Sequence, residues 1–292
     1  MPDPHRPFDH QPRFTSRLRL SRRAAAVAGA LVLLNNSVPP TPSLAAQRPV
    51  HYVALGDSVA SGAGVPPVDD LWCMRSANNY PHVIARVLRP AAFTDATCSA
   101  ARADRMESQL ASLSRGTTLV TLTVGYNDAF SLGLERCTIV GAVTRQGAPC
   151  RTSYQRMGRD TFQEEIDATG PKTAAVLRAI RRRAPHARVL LVGYLKVIPR
   201  GRRTCRPGEM FTEGDRRYVA HAEDRLNVVL ARAARSAGAV FVDMHPASTG
   251  HDVCAPDGVR WSEGLLPSRA TLPFHPNLEG ERAMAREVLG HL

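Results

Sequence analysis

Five short apolar runs, four of them followed by a stretch with helical spacing, constrain this chain more than any other feature of its sequence. The runs are Val50 to Leu55, Ala91 to Ala96, Leu119 to Val124, Val189 to Tyr194 and Ala239 to Asp243. They have the length of buried strands rather than of core helices, and most end near a glycine. Helical patterns lie between them. Tyr80 to Leu88 follows a capping pair, Asn78-Asn79. Thr161 to Arg183 places Ala175, Leu177 and Ile180 near one face, with Gly170-Pro171 read as an interruption and a new start. Asp215 to Ser236 carries Leu226, Val229, Leu230 and Ala233 at helical spacing and stops before Gly238. Asn277 caps a last helix that runs through Leu289. Strands alternating with helices pair in parallel through right-handed crossovers. The expected fold class is α/β: a three-layer α/β/α sandwich around a parallel sheet of about five strands. In such a sheet the chemistry sits beyond the carboxyl ends of the strands.

Residues 1–45 read differently. Arg13, Arg17, Arg19, Arg22 and Arg23 precede an apolar run, Ala24 to Leu34, and Ser43-Leu44-Ala45-Ala46 follows. A basic segment, a short apolar one and small residues at the cut make a secretory signal with cleavage after Ala45. Arg22-Arg23 also suits twin-arginine export. The apolar run is about half the roughly 20 residues that a bilayer span needs, so no stable membrane insertion is expected. Residues 46–292 hold no linker or repeat and read as a single domain, secreted and extracellular, with a monomer expected. The six arginines and two aspartates of residues 1–45 supply four of the twelve net positive charges. The remainder is densest at Arg178, Arg181, Arg182, Arg183, Arg200, Arg202 and Arg203, a pattern that suits a solvated helix end and loop. No interleaved aromatics, zinc knuckle or recognition helix accompanies this charge, so no nucleic-acid partner is expected.

Six cysteines after an export signal suggest three disulfides, for which fifteen pairings exist. No CxxC or CxxH pair supports a metal site. The short step from Cys137 to Cys150 favours a local loop staple. If the other pairs are also sequential, they are Cys73–Cys98 and Cys205–Cys254.

Three positions could carry chemistry. Ser58, in Gly56-Asp57-Ser58, leaves the first strand where a glycine allows a sharp exit. A serine hydroxyl there needs a base within hydrogen-bond reach to become a nucleophile, and is otherwise a helix cap. Asn127, in Gly125-Tyr126-Asn127-Asp128, follows the third run. Its amide can donate to an oxyanion, or simply cap a turn. His275, in Phe274-His275-Pro276-Asn277, can shuttle a proton, or be one more loop histidine.

Together these blocks, in the order Ser, Asn, His, resemble the SGNH hydrolases, also called the GDSL lipase/esterase family. Cys98-Ser99-Ala100-Ala101 is similar to the family's second block. Asn227 and His251-Asp252-Val253-Cys254 look like its secreted actinobacterial members. The resemblance covers residues 50–290 and implies a flavodoxin-like α/β/α fold and ester hydrolysis through an acyl-serine intermediate. It implies Ser58 as nucleophile and His275 as base and then acid. It also implies an oxyanion hole made of the Ser58 and Ala100 N–H groups and the Asn127 side chain, with no cofactor and no metal. Two departures from the family pattern stand out. Ala100 occupies a position where glycine is usual, so a φ above zero there costs on the order of 1 kcal/mol. Leu272 stands where an aspartate usually orients the histidine. The Leu272 backbone carbonyl, directed by Pro273, is the expected substitute. A carboxylate from Asp252 or Glu263, or a site that has lost activity, are the alternatives.

The expected substrate is a small-molecule or lipid ester of open acyl length. Phe130, Leu132 and Leu134, and Trp261, either line its pocket or fill the core. A glycan or cell-wall O-acetyl esterase is an alternative within enzymes. A non-catalytic extracellular binding protein on the same scaffold is the alternative outside them.

Overall fold

The apolar runs form one sheet of strands β1 (His51–Gly56), β2 (Ala92–Asp95), β3 (Leu119–Thr123), β4 (Arg188–Val192) and β5 (Val240–Val242). The structure, a computed structural model, describes residues 49–130, 133–144, 146–200 and 211–292. All pairings in this sheet are parallel, in the order β2-β1-β3-β4-β5. That order has a consequence for function. The chain steps outward from β1 to β2 and then returns past β1 to β3. The turns leaving β1 and β3 therefore diverge and open a crevice at the carboxyl edge. Ser58 and Asn127 follow those two strands.

Six helices position the site: α1 (Ser58–Ser61), α2 (Tyr80–Leu88), α3 (Tyr126–Ala129), α4 (Thr161–Arg183), α5 (Glu213–Ser236) and α6 (Leu278–Leu289). Helix α2 packs on α6, and α4 on α5, so helix pairs flank the sheet in the three-layer arrangement. β3 is buried along its whole length, as a central parallel strand covered on both faces must be. Its polar side chains are satisfied. Thr121 pairs with the Tyr52 hydroxyl at 2.8 Å and Thr123 with the Tyr80 hydroxyl at 2.9 Å.

The expected interruption at Gly170-Pro171 is not there. α4 is continuous from its Asp160 cap to Arg183 with Pro171 inside it. An interior proline costs about 3 kcal/mol. Phe162 and Ile166 before it, and Val176, Leu177 and Ile180 after it, are all buried, and each such side chain contributes about 1.5–3 kcal/mol. Burial along a common face therefore wins.

Disulfides join Cys73 to Cys98 and Cys137 to Cys150. The second links helix Gly133–Thr144 to helix Pro149–Tyr154 rather than stapling a plain loop. Cys254 is disulfide-bonded and no described cysteine is free. Its expected partner Cys205 lies outside the described residues, as do Arg202, Arg203, Leu132 and the whole segment 1–45. Among the described residues no helix is long and apolar enough to cross a membrane.

Candidate active site

The exit from β1 is built so that Ser58 faces the crevice. Gly56 has φ +149°, and a Cβ there would stand 2.5 Å from the Thr123 carbonyl oxygen, so only glycine fits. The Gln109 side chain brackets Gly56. It accepts from the Gly56 N–H at 2.7 Å and donates to the Gly56 carbonyl at 2.9 Å. Asp57 then caps α1 by accepting from the Val59 N–H at 3.0 Å. Ser58 is thus the first residue of a helix.

His275 approaches from the loop before α6. Its Nε2 lies 2.8 Å from Ser58 Oγ, and its Nδ1 lies 2.7 Å from the backbone carbonyl oxygen of Pro273. A carbonyl can only accept, so Nδ1 carries the proton and Nε2 presents a lone pair to the serine hydroxyl. The group that meets Nδ1 is a main-chain carbonyl, but that of Pro273 and not that of Leu272. The Leu272 carbonyl instead accepts from the His275 N–H at 3.2 Å. This closes a β-turn with Pro273 second and Phe274 third, and Phe274 has φ +59°, as a type II turn requires. The turn occupies the first carbonyl and leaves the second, on the central peptide, for the imidazole.

Phe274 is an unusual residue for a left-handed position, and its surroundings hold it there. Its N–H donates to the Glu263 carbonyl at 3.1 Å, and the Glu263 N–H donates to the His275 carbonyl at 3.0 Å. Thr271 Oγ1 bonds the carbonyls of Ala63, just beyond α1, and Pro276. The histidine loop is thereby tied to the serine turn. The two alternative carboxylates are engaged elsewhere. Asp252 accepts from the Cys254 N–H at 2.9 Å. Glu263 accepts from Asn277 Nδ2 at 2.9 Å and the Ser268 N–H at 3.0 Å, and lies beside Arg260. Burial alone would raise the Glu263 pKa, but these partners hold it below the ordinary range.

The Asn127 and Ala100 blocks are stitched together. Asn127 Nδ2 donates to the Ala101 carbonyl at 2.9 Å, which assigns its amide orientation and leaves a second N–H to donate. Arg102 donates to the Asn127 carbonyl at 2.6 Å, and the Ala103 N–H to Asp128 at 2.7 Å. Ala100 has φ +62°, so an alanine occupies a left-handed conformation that favours glycine and is strained by it.

Below Ser58 lies a polar cluster that sequence reasoning did not assemble. Tyr194 donates its hydroxyl to buried Asp57 and accepts from the Tyr126 N–H at 2.9 Å. Asn227 clamps the Tyr194 backbone, accepting from its N–H at 3.0 Å and donating to its carbonyl at 2.8 Å. Burial raises the Asp57 carboxyl to about 7, against the lowering effect of Tyr194 and the Val59 N–H. Asp57 and Asn227 stand out in the sequence through the family blocks. Tyr194 and Gln109 carry no signal of their own.

A narrow pocket opens on Ser58 and His275, with Val59, Leu195, Val197, Leu226 and Phe274 as its apolar walls. Phe130 and Leu134 are core residues, and Trp261 stacks on His251 at 3.8 Å. Among the described residues, no three of His, Cys, Asp or Glu converge as a metal site would need.

The arrangement agrees with what the chain is similar to. The model of the GDSL-like lipase/acylhydrolase family matches residues 54–283. Lipase 2 of Streptomyces coelicolor is 39% identical over 287 residues, covering 93% of this chain and 96% of that one. Two crystal structures share the fold. Phospholipase A1 of Streptomyces albidoflavus has a TM-score of 0.72 at 30% identity, over 83% of this chain and 99% of its own. The extracellular lipase of Streptomyces rimosus has a TM-score of 0.70 at 28% identity, with the same coverage.

Proposed function

The chain belongs to the GDSL-like lipase/acylhydrolase family and is a carboxylic ester hydrolase of the lipase/esterase kind, and from that premise we propose that it works through a Ser58–His275 dyad without a carboxylate partner. The carrying observation is the line of two hydrogen bonds from the Pro273 carbonyl through the His275 ring to Ser58 Oγ. Ser58 Oγ attacks the ester carbonyl while Nε2 takes its proton. The oxyanion is held by the N–H groups of Ser58 and Ala100 and the free N–H of Asn127 Nδ2. His275 passes the proton to the departing alcohol, leaving an acyl-serine. Water then attacks the acyl carbon as Nε2 takes its proton, the acyl–Oγ bond breaks, and Nε2 returns that proton to Ser58 Oγ as the acid leaves. A backbone carbonyl keeps the tautomer as a carboxylate would, while adding no charge to stabilise the imidazolium.

The apolar walls beside Ser58 support acyl chains longer than acetyl, and lipid esters as substrates, in line with the activity named for the phospholipase A1 relative. Residues 1–45 act as an export signal in this reading, supported by the disulfides and by the extracellular lipase relative. The test is an ester series from C2 to C16 on wild type and Ser58→Ala. Ser58→Ala should lose at least about a thousandfold in kcat while remaining folded. Equal turnover in the variant would remove Ser58 from the mechanism.

A further inference from the structure

Two buried polar residues that line the Ser58 pocket each carry a side-chain oxygen with no hydrogen-bond partner among the described residues. Glu223, on α5, is 6% exposed. Its carboxyl is held by the backbone N–H groups of Ile198, at 3.0 Å from Oε2, and Val197, while Oε1 itself has no hydrogen-bond partner among the described residues. Ser262 is 1% exposed, and its Oγ is equally without a partner among those residues. Both residues line the pocket that Ser58 and His275 share. Leaving a buried polar group unpaired costs about 1–3 kcal/mol, so a ligand group that pairs with it is favoured by a comparable amount. Burial, aided by neighbouring Asp224, holds the Glu223 carboxyl neutral up to about pH 8, so at neutral pH it is an acid that can donate as well as accept. Neither group has a part in the Ser58–His275 chemistry.

We propose that Glu223 and Ser262 form a polar subsite that receives a hydroxyl group of the ester substrate. The proposal rests on the ester-hydrolase reading of Ser58. A hydroxyl both donates and accepts, which matches a neutral carboxyl and a serine hydroxyl alike. An unsubstituted alkyl chain leaves both wall groups unpaired. A charged group would surrender its hydration beside buried side chains that offer no opposite charge at neutral pH. The hydroxyl can sit on the acyl chain or on the alcohol, and the site chemistry is the same for both.

The test uses matched esters that differ by one hydroxyl. One series steps the hydroxyl along the acyl chain of a simple ester. The other compares monoesters of diols with esters of the corresponding alcohol. In each variant the quantity read is the ratio of kcat/KM with and without the hydroxyl, so any loss of folded enzyme cancels. Wild type should favour one hydroxyl position by about tenfold or more, the worth of one or two neutral hydrogen bonds, and mainly through KM. The series that shows the preference identifies which side of the ester carries the group. Glu223→Gln keeps a donor and an acceptor and should keep the preference. Glu223→Leu should bring the ratio to about one, and Ser262→Ala should lower it. Wild-type ratios near one at every position in both series, with plain esters still hydrolysed in a Ser58-dependent manner, would overturn the subsite alone. So would an unchanged preference in Glu223→Leu or, if that variant does not fold, in Ser262→Ala. Plain-ester hydrolysis that persists undiminished in Ser58→Ala would overturn the reading beneath it as well.

Discussion

Replacing Ala100 by glycine tests the strain and the oxyanion hole together. Ala100 sits at φ +62°, is solvent-exposed, and carries one of the three proposed oxyanion donors. An L-residue in the left-handed region costs about 1–2 kcal/mol, and glycine pays almost none of this. Glycine in turn raises the entropy of the unfolded chain, worth roughly 0.4–1 kcal/mol against folding. The exposed methyl leaves no cavity when it is removed, so no packing term enters. The net expectation is a gain of about 0.5–1 kcal/mol, or a Tm higher by about 1–4 °C for a chain of this size. The N–H already has the direction that glycine would give it, so kcat/KM should stay within about threefold. Urea unfolding at equilibrium and turnover of one soluble ester decide both points. Ala100→Val provides the opposite control. A β-branched residue is a poor occupant of positive φ, so it should destabilise and lower kcat. A glycine variant less stable than wild type would show that Ala100 is not held at positive φ. A glycine variant tenfold faster would show that alanine misdirects the donor.

Asp57 and Glu223 have raised pKa values in the fold, about 7 and about 8. A raised carboxyl favours the fold below its unfolded pKa and loses that contribution as pH climbs through the folded value. Between about pH 4 and 8 the urea midpoint should therefore fall, each group contributing on the order of 4 kcal/mol, with the Asp57 part absent in Asp57→Asn. A midpoint that rises over this range would contradict the buried neutral carboxyls. Non-reducing digestion with mass spectrometry should yield Cys73–Cys98 and Cys137–Cys150 peptides, and Cys205–Cys254 as the remaining pair. Removing either of the first two should cost about 2–4 kcal/mol in unfolding free energy. Asp252→Asn should leave kcat within about threefold, since asparagine can still accept from the Cys254 N–H. A loss of orders of magnitude in a folded variant would make Asp252 the orienting group and refute the Pro273 carbonyl.

The local order of this protein is legible in its sequence because it follows from near-neighbour chemistry. Apolar runs of strand length mark β1, β3 and β4, since a covered parallel strand must be apolar on both faces. Asn79, Asp160 and Asn277 cap helices because a short polar side chain beside a helix start has few other uses. Ser58, Asn127 and His275 are visible for a related reason: each lies within a few residues of a strand end or helix start, so its block can be recognised without knowing what it touches. What could not be read depends on distant partners. Pro171 breaks helices in isolation, yet a core on both sides of it keeps α4 whole. Glu263 is a plausible partner for His275 by residue type, but the turn at Leu272–His275 and the pull of Asn277, Ser268 and Arg260 set it aside. Which of two adjacent carbonyls meets the imidazole is a matter of one peptide plane, and that plane was decided by the β-turn that Glu263 and Ala63 hold from across the structure. Tyr194 lies 137 residues from the Asp57 carboxyl it meets. Contacts at that separation arise only when β1 and β4 take their places on either side of β3, which is why the site's support, unlike its reacting atoms, belongs to the tertiary structure.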